Sequence, residues 1–108
     1  ARFAKEEISV QFAGNVVEKV WTLGQAMGYG NYFVNDQVGA ITDDHYFLNS
    51  LAQIPTIDII NRPIDTQTGF VAHWHTPEDT LDKIDRNTLR AVGQLLLAVI
   101  YREHAGTL

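Results

Sequence analysis

The segment that most narrows what this chain can become is Thr56-Ile57-Asp58-Ile59-Ile60. It is short and β-branched, with Ile54-Pro55 before it and a polar stretch from Asn61 to Val71 after it, and it reads as a strand. A segment with helical period stands on either side of it. Ala13, Val16, Val17, Val20, Leu23 and Met27 recur at steps of three and four, and Trp21 widens their stripe. Leu89, Val92, Leu96, Val99 and Ile100 do the same further on, widened by Leu95 and Leu97. A short apolar strand that follows a helix closely is expected of an α/β fold with a parallel or mixed sheet.

The punctuation between these segments is local and specific. Gly28 and Gly30 stop the first helix, because glycine tolerates the left-handed conformation found there. Gly24, inside that helix, marks a point of close packing. Tyr32-Phe33-Val34 reads as a second short strand, whereas Ala1 to Gln11 is mixed and fits a loop leading into the helix. Thr42 or Asp43 caps a short helix carrying Phe47, Leu48 and Leu51, and Ile54-Pro55 ends it. Thr76-Pro77-Glu78-Asp79 reads as a helix start, with a Thr cap, Pro at the first helical position and carboxylates in the first turn. Asp85 starts the last helix, a buried one that runs to about His104 and ends at Gly106.

Several function classes are excluded by composition. The chain has 108 residues, enough for one domain. It carries 8 basic and 13 acidic side chains, a net charge of −5, and its basic residues are scattered, so it offers no nucleic-acid surface. It has no cysteine, which removes disulfides, thiolate metal sites and thiol nucleophiles. No apolar run approaches the roughly 20 residues of a membrane-spanning helix. No Gly-rich phosphate loop follows a strand, and neither Ser9 nor Ser50 has the setting of a nucleophile elbow. The chain opens on Ala1 rather than Met, as expected if its natural N-terminus was removed or lies upstream.

The chemistry concentrates in two places. His73-Trp74-His75-Thr76-Pro77-Glu78-Asp79-Thr80 holds two imidazoles, two carboxylates and an aromatic in eight residues. In an extended segment His73 and His75 would face the same way, as metal ligands do, although a polar loop with two ordinary histidines has the same spacing. His75 is the better ligand candidate, because it follows a strand and a loop and precedes a helix start. Asp79 caps that helix or holds the His75 ring, and Trp74 is a core residue or a pocket wall. Asp43-Asp44-His45 is the second concentration: a helix cap, a metal-ligand pair, or a general-base system. Asp58 stands alone in its apolar strand and fits a solvent-facing sheet edge. His104 complements a helix dipole, and Trp21 and Met27 are core.

Asp43-Asp44-His45, followed about 30 residues later by Trp74-His75-Thr76-Pro77-Glu78-Asp79-Thr80, resembles the zinc-dependent aminopeptidases and glutaminyl cyclases of metallopeptidase family twenty-eight. The likeness runs through Ile54 to Ile60, Leu81 to Asp85, and Leu89 to Val99, and covers most of residues 9–104. It implies a three-layer α/β/α fold whose mixed, mostly parallel sheet lies between helices, with one or two zinc ions at the C-terminal ends of the strands. It makes His75 a zinc ligand, sets Asp43 and Asp44 in the proton network around the metal with His45 and Asp79 supporting it, and makes Trp74 a wall of the substrate pocket. The family's other ligands precede this region, so residues 1–108 are expected to be the C-terminal portion of a single zinc-peptidase domain. A catalytic zinc needs three protein ligands, so the isolated chain is expected to be inactive. The intact enzyme is expected to be an aminopeptidase-like hydrolase that releases N-terminal residues from peptides; the alternative from the same site is a glutaminyl cyclase, which closes an N-terminal glutamine into a ring. The rival from another class is a non-catalytic α/β interaction domain. The resemblance alone implies a periplasmic or secreted location. A sheet cut along one side would leave an open edge and an apolar face, so self-association, or association with the missing N-terminal part, is expected.

Overall fold

The computed structural model describes residues 1–108. Strand β1, Phe3–Glu6, is buried along its whole length and runs without a loop into helix α1, Glu7–Gly24. The junction is made by Glu6, whose carboxylate accepts the N–H groups of Ile8 and Ser9 and so caps α1. A single π-helical turn, Gln25–Tyr29, follows, with Gly28 at φ +92° where the chain reverses. Strand β2, Phe33–Val38, then returns parallel to β1, pairing Phe3 with Phe33 and Glu6 with Val38 across an irregularity after Phe3. The result is a β-α-β unit, the building block of α/β folds. Helix α2, Asp44–Ser50, is capped by Asp43, and helix α3, Arg86–Ala105, by Asp85.

The core lies between α1, the two strands and one stripe of α3. Phe3, Val17, Val20, Trp21, Leu23, Phe33 and Leu95 form it. Trp21 meets Phe33 edge to face at 5.4 Å, and its indole N–H donates to the Phe3 carbonyl. A Cβ on Gly24 would sit 3.1 Å from Leu95 and 3.2 Å from Phe33, so this glycine is the close-packing point expected of it. The α/β class is therefore as expected, with a two-stranded parallel sheet.

Four expectations need correction. The N-terminal loop is strand β1: Phe-Ala-Lys-Glu shows no alternation because all four residues are enclosed. Thr56–Ile60 is extended but joins no sheet. The Asp58 N–H donates to the Ser9 hydroxyl and the Thr56 N–H to Asn49 Oδ1, and only Asn61 bridges to Phe3. Thr76-Pro77 opens a turn instead of a helix. Thr76 accepts from the Asp79 N–H, a single 3₁₀ turn follows at Leu81–Lys83, and no apolar stripe exists there to hold a longer helix. Helix α3 buries only Ala91 and Leu95, while Leu89, Leu97 and Ile100 are each more than half exposed. One stripe of α3 has α1 to pack against, and the other has no neighbour in this chain.

Candidate active site

The two chemical stretches meet. Asp43 reaches the site because α2 begins there: its side chain accepts the Asp44 N–H and so sits at the helix mouth. His75 reaches it at the end of a loop that closes on itself in tight turns, in which the Trp74 N–H bonds to Val71 and the Thr76 N–H and hydroxyl bond to His73. Asp43, Trp74 and His75 line one cleft of about 460 Å³, together with Ile41, Ile60, Arg62 and Phe70. A cleft of similar size between the ends of α1 and α3 gathers no such set of groups.

One wall of the cleft is a continuous stack. The Arg62 guanidinium lies 4.2 Å from the Phe70 ring centre, Phe70 stacks on Trp74 at 4.4 Å, and Trp74 stacks on His75 at 4.1 Å. Gly69, at φ +75°, lets the loop pass over Arg62, since a Cβ there would fall 2.8 Å from Nη2. His75 itself has φ +55°, a left-handed conformation that costs a non-glycine residue on the order of 1–3 kcal/mol. The strain sits on the residue singled out as a ligand, with its imidazole exposed at the cleft and free of protein hydrogen bonds.

The other candidates are placed differently. Asp44 is exposed on the first turn of α2 beside Phe47 and Leu48, outside the cleft. Asp79 lies with Oδ1 3.8 Å from His73 Nε2 and makes no hydrogen bond to His75. His45 is buried, and its Nε2 lies 2.7 Å from Glu6 Oε1. Glu6 is the group that inspection of the sequence missed. Oε1 accepts from the Ser9 N–H, the Ser9 hydroxyl and His45, and Oε2 accepts from the N–H groups of Ile8 and Ile41. Burial pushes its carboxyl up, but the N–H groups of Ile41, Ile8 and Ser9 and the Ser9 hydroxyl outweigh it, so the group lies below its ordinary value and stays ionised. An ionised carboxylate only accepts, so His45 Nε2 carries the proton of that bond. Asp58 does not face solvent. Its Oδ2 and His45 Nδ1 are both enclosed without a partner, 3.9 Å apart. Burial raises the Asp58 carboxyl, opposed by His45 and reinforced by Asp43, Glu6 and Asp44.

The donors in this chain do not form a zinc site by themselves, because no three His, Cys, Asp or Glu side chains come together. His75 offers one well-exposed imidazole.

Strands that end in a cleft walled by aromatics, with a carboxylate and an imidazole on its rim, define an α/β protein of the kind that builds its site in the loops beyond the sheet. The chain belongs to Peptidase family M28, whose sequence model matches residues 4–100. Among solved structures, a glutaminyl cyclase of Tannerella forsythia is 53% identical with a TM-score of 0.90, and a Zn-dependent exopeptidase of Parabacteroides distasonis is 50% identical at 0.89. Each is matched over 94% of this chain and 35% of its own. A leucine aminopeptidase precursor of Bacteroides thetaiotaomicron is 48% identical at 0.85, over 94% of this chain and 33% of its own. The chain thus spans about a third of the length of the solved relatives it matches. No curated protein matches it. No helix is long and apolar enough to cross a membrane.

Proposed function

We propose that this chain forms part of a zinc-dependent enzyme acting on the N-terminal residue of a peptide, and that its reaction is the cyclisation of an N-terminal glutamine. The observation that carries this is the joining of Asp43 to the Phe70–Trp74–His75 stack in one cleft. Cyclisation needs a group that moves one proton within the substrate and a surface that keeps water away; hydrolysis needs a water positioned for attack. The α-amino nitrogen bonds to the side-chain amide carbon, the carbon–nitrogen bond of that amide breaks, and ammonia leaves. Asp43 takes the proton from the attacking amine and returns it to the departing nitrogen. Trp74 lies along the substrate side chain and excludes water. His75 would contribute one imidazole to a zinc ion that needs further ligands from outside these 108 residues, and that ion would polarise the side-chain amide; Asp44 adds negative charge at the mouth of α2. On this reading the 108 residues alone are inactive.

Release of an N-terminal residue by hydrolysis is the second reading, favoured by the 50% identity to a Zn-dependent exopeptidase. One pair of assays on the intact protein separates the two: ammonia from a peptide with N-terminal glutamine, and release from an N-terminal aminoacyl chromogenic amide. Ammonia without chromophore is the expected result; chromophore alone reverses the assignment. We further propose a periplasmic or secreted location, an expectation from the resemblance alone, and finding the protein only in the cytoplasmic fraction of cells would refute it.

A further inference from the structure

Asp43 is exposed at the cleft, yet the backbone that carries it is held from inside. Ile41, two residues before it, donates its N–H to Glu6 Oε2 at 2.9 Å. His45, two residues after it, bonds through Nε2 to Glu6 Oε1 at 2.7 Å. One carboxylate therefore grips the chain on both sides of Asp43. The neighbouring Glu7 accepts the Ala40 N–H on its Oε2. The same Glu6 oxygen that binds His45 also accepts the Ser9 hydroxyl, whose oxygen accepts the Asp58 N–H. That bond reaches the extended segment leading to Ile60 and Arg62 on the facing wall of the cleft.

We propose that Glu6 is a positioning residue that sets Asp43 against the cleft by clamping Ile41 and His45, and that His45 is its partner in this task. The inference rests on the role given to Asp43 above. A buried glutamate between a strand and a helix has a cheaper structural use, which is to cap α1. Capping accounts for the bonds from Ile8 and Ser9. It does not account for the bonds from Ile41 and His45, which come from 35 and 39 residues away and meet the carboxylate on its two different oxygens. All five donors belong to this chain, so the clamp is complete within it. It also has little slack: Glu6 is wholly enclosed and His45 is 3% exposed. Misplacement of a reacting group by about 1 Å can cost 100-fold in rate, so a clamp of this kind is read in turnover more than in substrate affinity.

The test is a double-variant cycle in the intact protein, with ammonia release from an N-terminal glutaminyl peptide as the assay. Glu6→Gln should lower kcat by roughly 10- to 100-fold with KM within about twofold and zinc content unchanged. The pair Glu6→Gln with Asp43→Asn should be no slower than Asp43→Asn alone, because Glu6 acts through Asp43. His45→Gln, which keeps a donor for Glu6, should lose less than Glu6→Gln and show the same non-additivity, and it takes the place of Glu6→Gln in the cycle if that variant does not fold. A readout independent of activity is amide exchange at Ile41, which should accelerate in Glu6→Gln and stay unchanged in Asp43→Asn. Multiplying effects in the double variant, wild-type kcat in Glu6→Gln, or unchanged Ile41 exchange would overturn the proposal. If Asp43→Asn alone kept wild-type turnover, the role of Asp43 itself would fail, and the clamp with it. That outcome differs from multiplying effects, which would leave Asp43 catalytic and remove only Glu6.

Discussion

Glu6 and His75 stand at opposite extremes of the same molecule. Glu6 is enclosed, bears a charge and has five donors, all within the chain. His75 is exposed, is held in a left-handed backbone conformation and has no hydrogen-bond partner, only the Trp74 ring against it. The first region is satisfied by what it touches here, whereas the second keeps its bonding capacity open. The contrast separates scaffold from site: the scaffold is where polar groups are used up, and the site is where they are strained and left available.

The largest effect expected from breaking this contrast is at Glu6. Glu6→Ala leaves four N–H donors and the Ser9 hydroxyl without their acceptor, those of Ser9 and His45 in the interior, which should cost about 3–5 kcal/mol of stability in chemical unfolding. His75→Ala should change stability by about 1 kcal/mol or less and abolish turnover. His75→Gly sharpens the point: glycine adopts φ +55° freely, so this variant should gain roughly 0.5–1 kcal/mol in the same unfolding measurement while remaining inactive. A loss of stability in His75→Gly would mean that the imidazole is part of the scaffold after all.

Trp74→Ala removes the ring between Phe70 and His75. Its stability cost should be small, about 1 kcal/mol, because the indole is 40% exposed, whereas KM for the glutaminyl peptide should rise several-fold in steady-state kinetics.

The smallest expected effects are in the pH dependence, and the buried Glu6 and half-buried Asp58 carboxyls have opposite signs. Glu6 lies below its ordinary 4.5, so its contribution is present above that pH and is lost as pH falls through the depressed folded value. Asp58 lies above its ordinary 3.8, so the stability it lends is present below 3.8 and is lost as pH rises through the elevated folded value. Asp58→Asn should therefore be more stable than the wild type near neutral pH and lose that advantage in acid. Glu6→Gln should flatten the acid limb of the stability profile. Unfolding midpoints between pH 3 and 7 would reveal either effect.

The sequence was legible where structure is decided locally. The α1 stripe, the Asp43 and Asp85 caps and the stop at Gly28 depend on residues within a turn of one another, and each appears as read. Strand β1 was illegible because Phe3 and Glu6 are defined by Phe33 and Val38 across the sheet, not by any alternation of their own. Thr56–Ile60 shows the converse: an extended pattern can be read from β-branching, but pairing depends on a neighbour that the pattern does not name. Glu6 escaped notice for the same reason, since its two distant donors are Ile41 and His45. The meeting of Asp43 with His75 lies 32 positions apart in the chain, beyond periodicity, and was anticipated only through the resemblance to a peptidase family.

On the proposed function, Asp43 and His75 serve one reaction on one N-terminal residue. The most direct test is ammonia release from a peptide with N-terminal glutamine, measured with the intact protein and with its Asp43→Asn and His75→Ala variants. The expected result is turnover in the wild type and a loss on the order of 100-fold or more in each variant with the fold retained. Wild-type turnover in either folded variant would contradict the account.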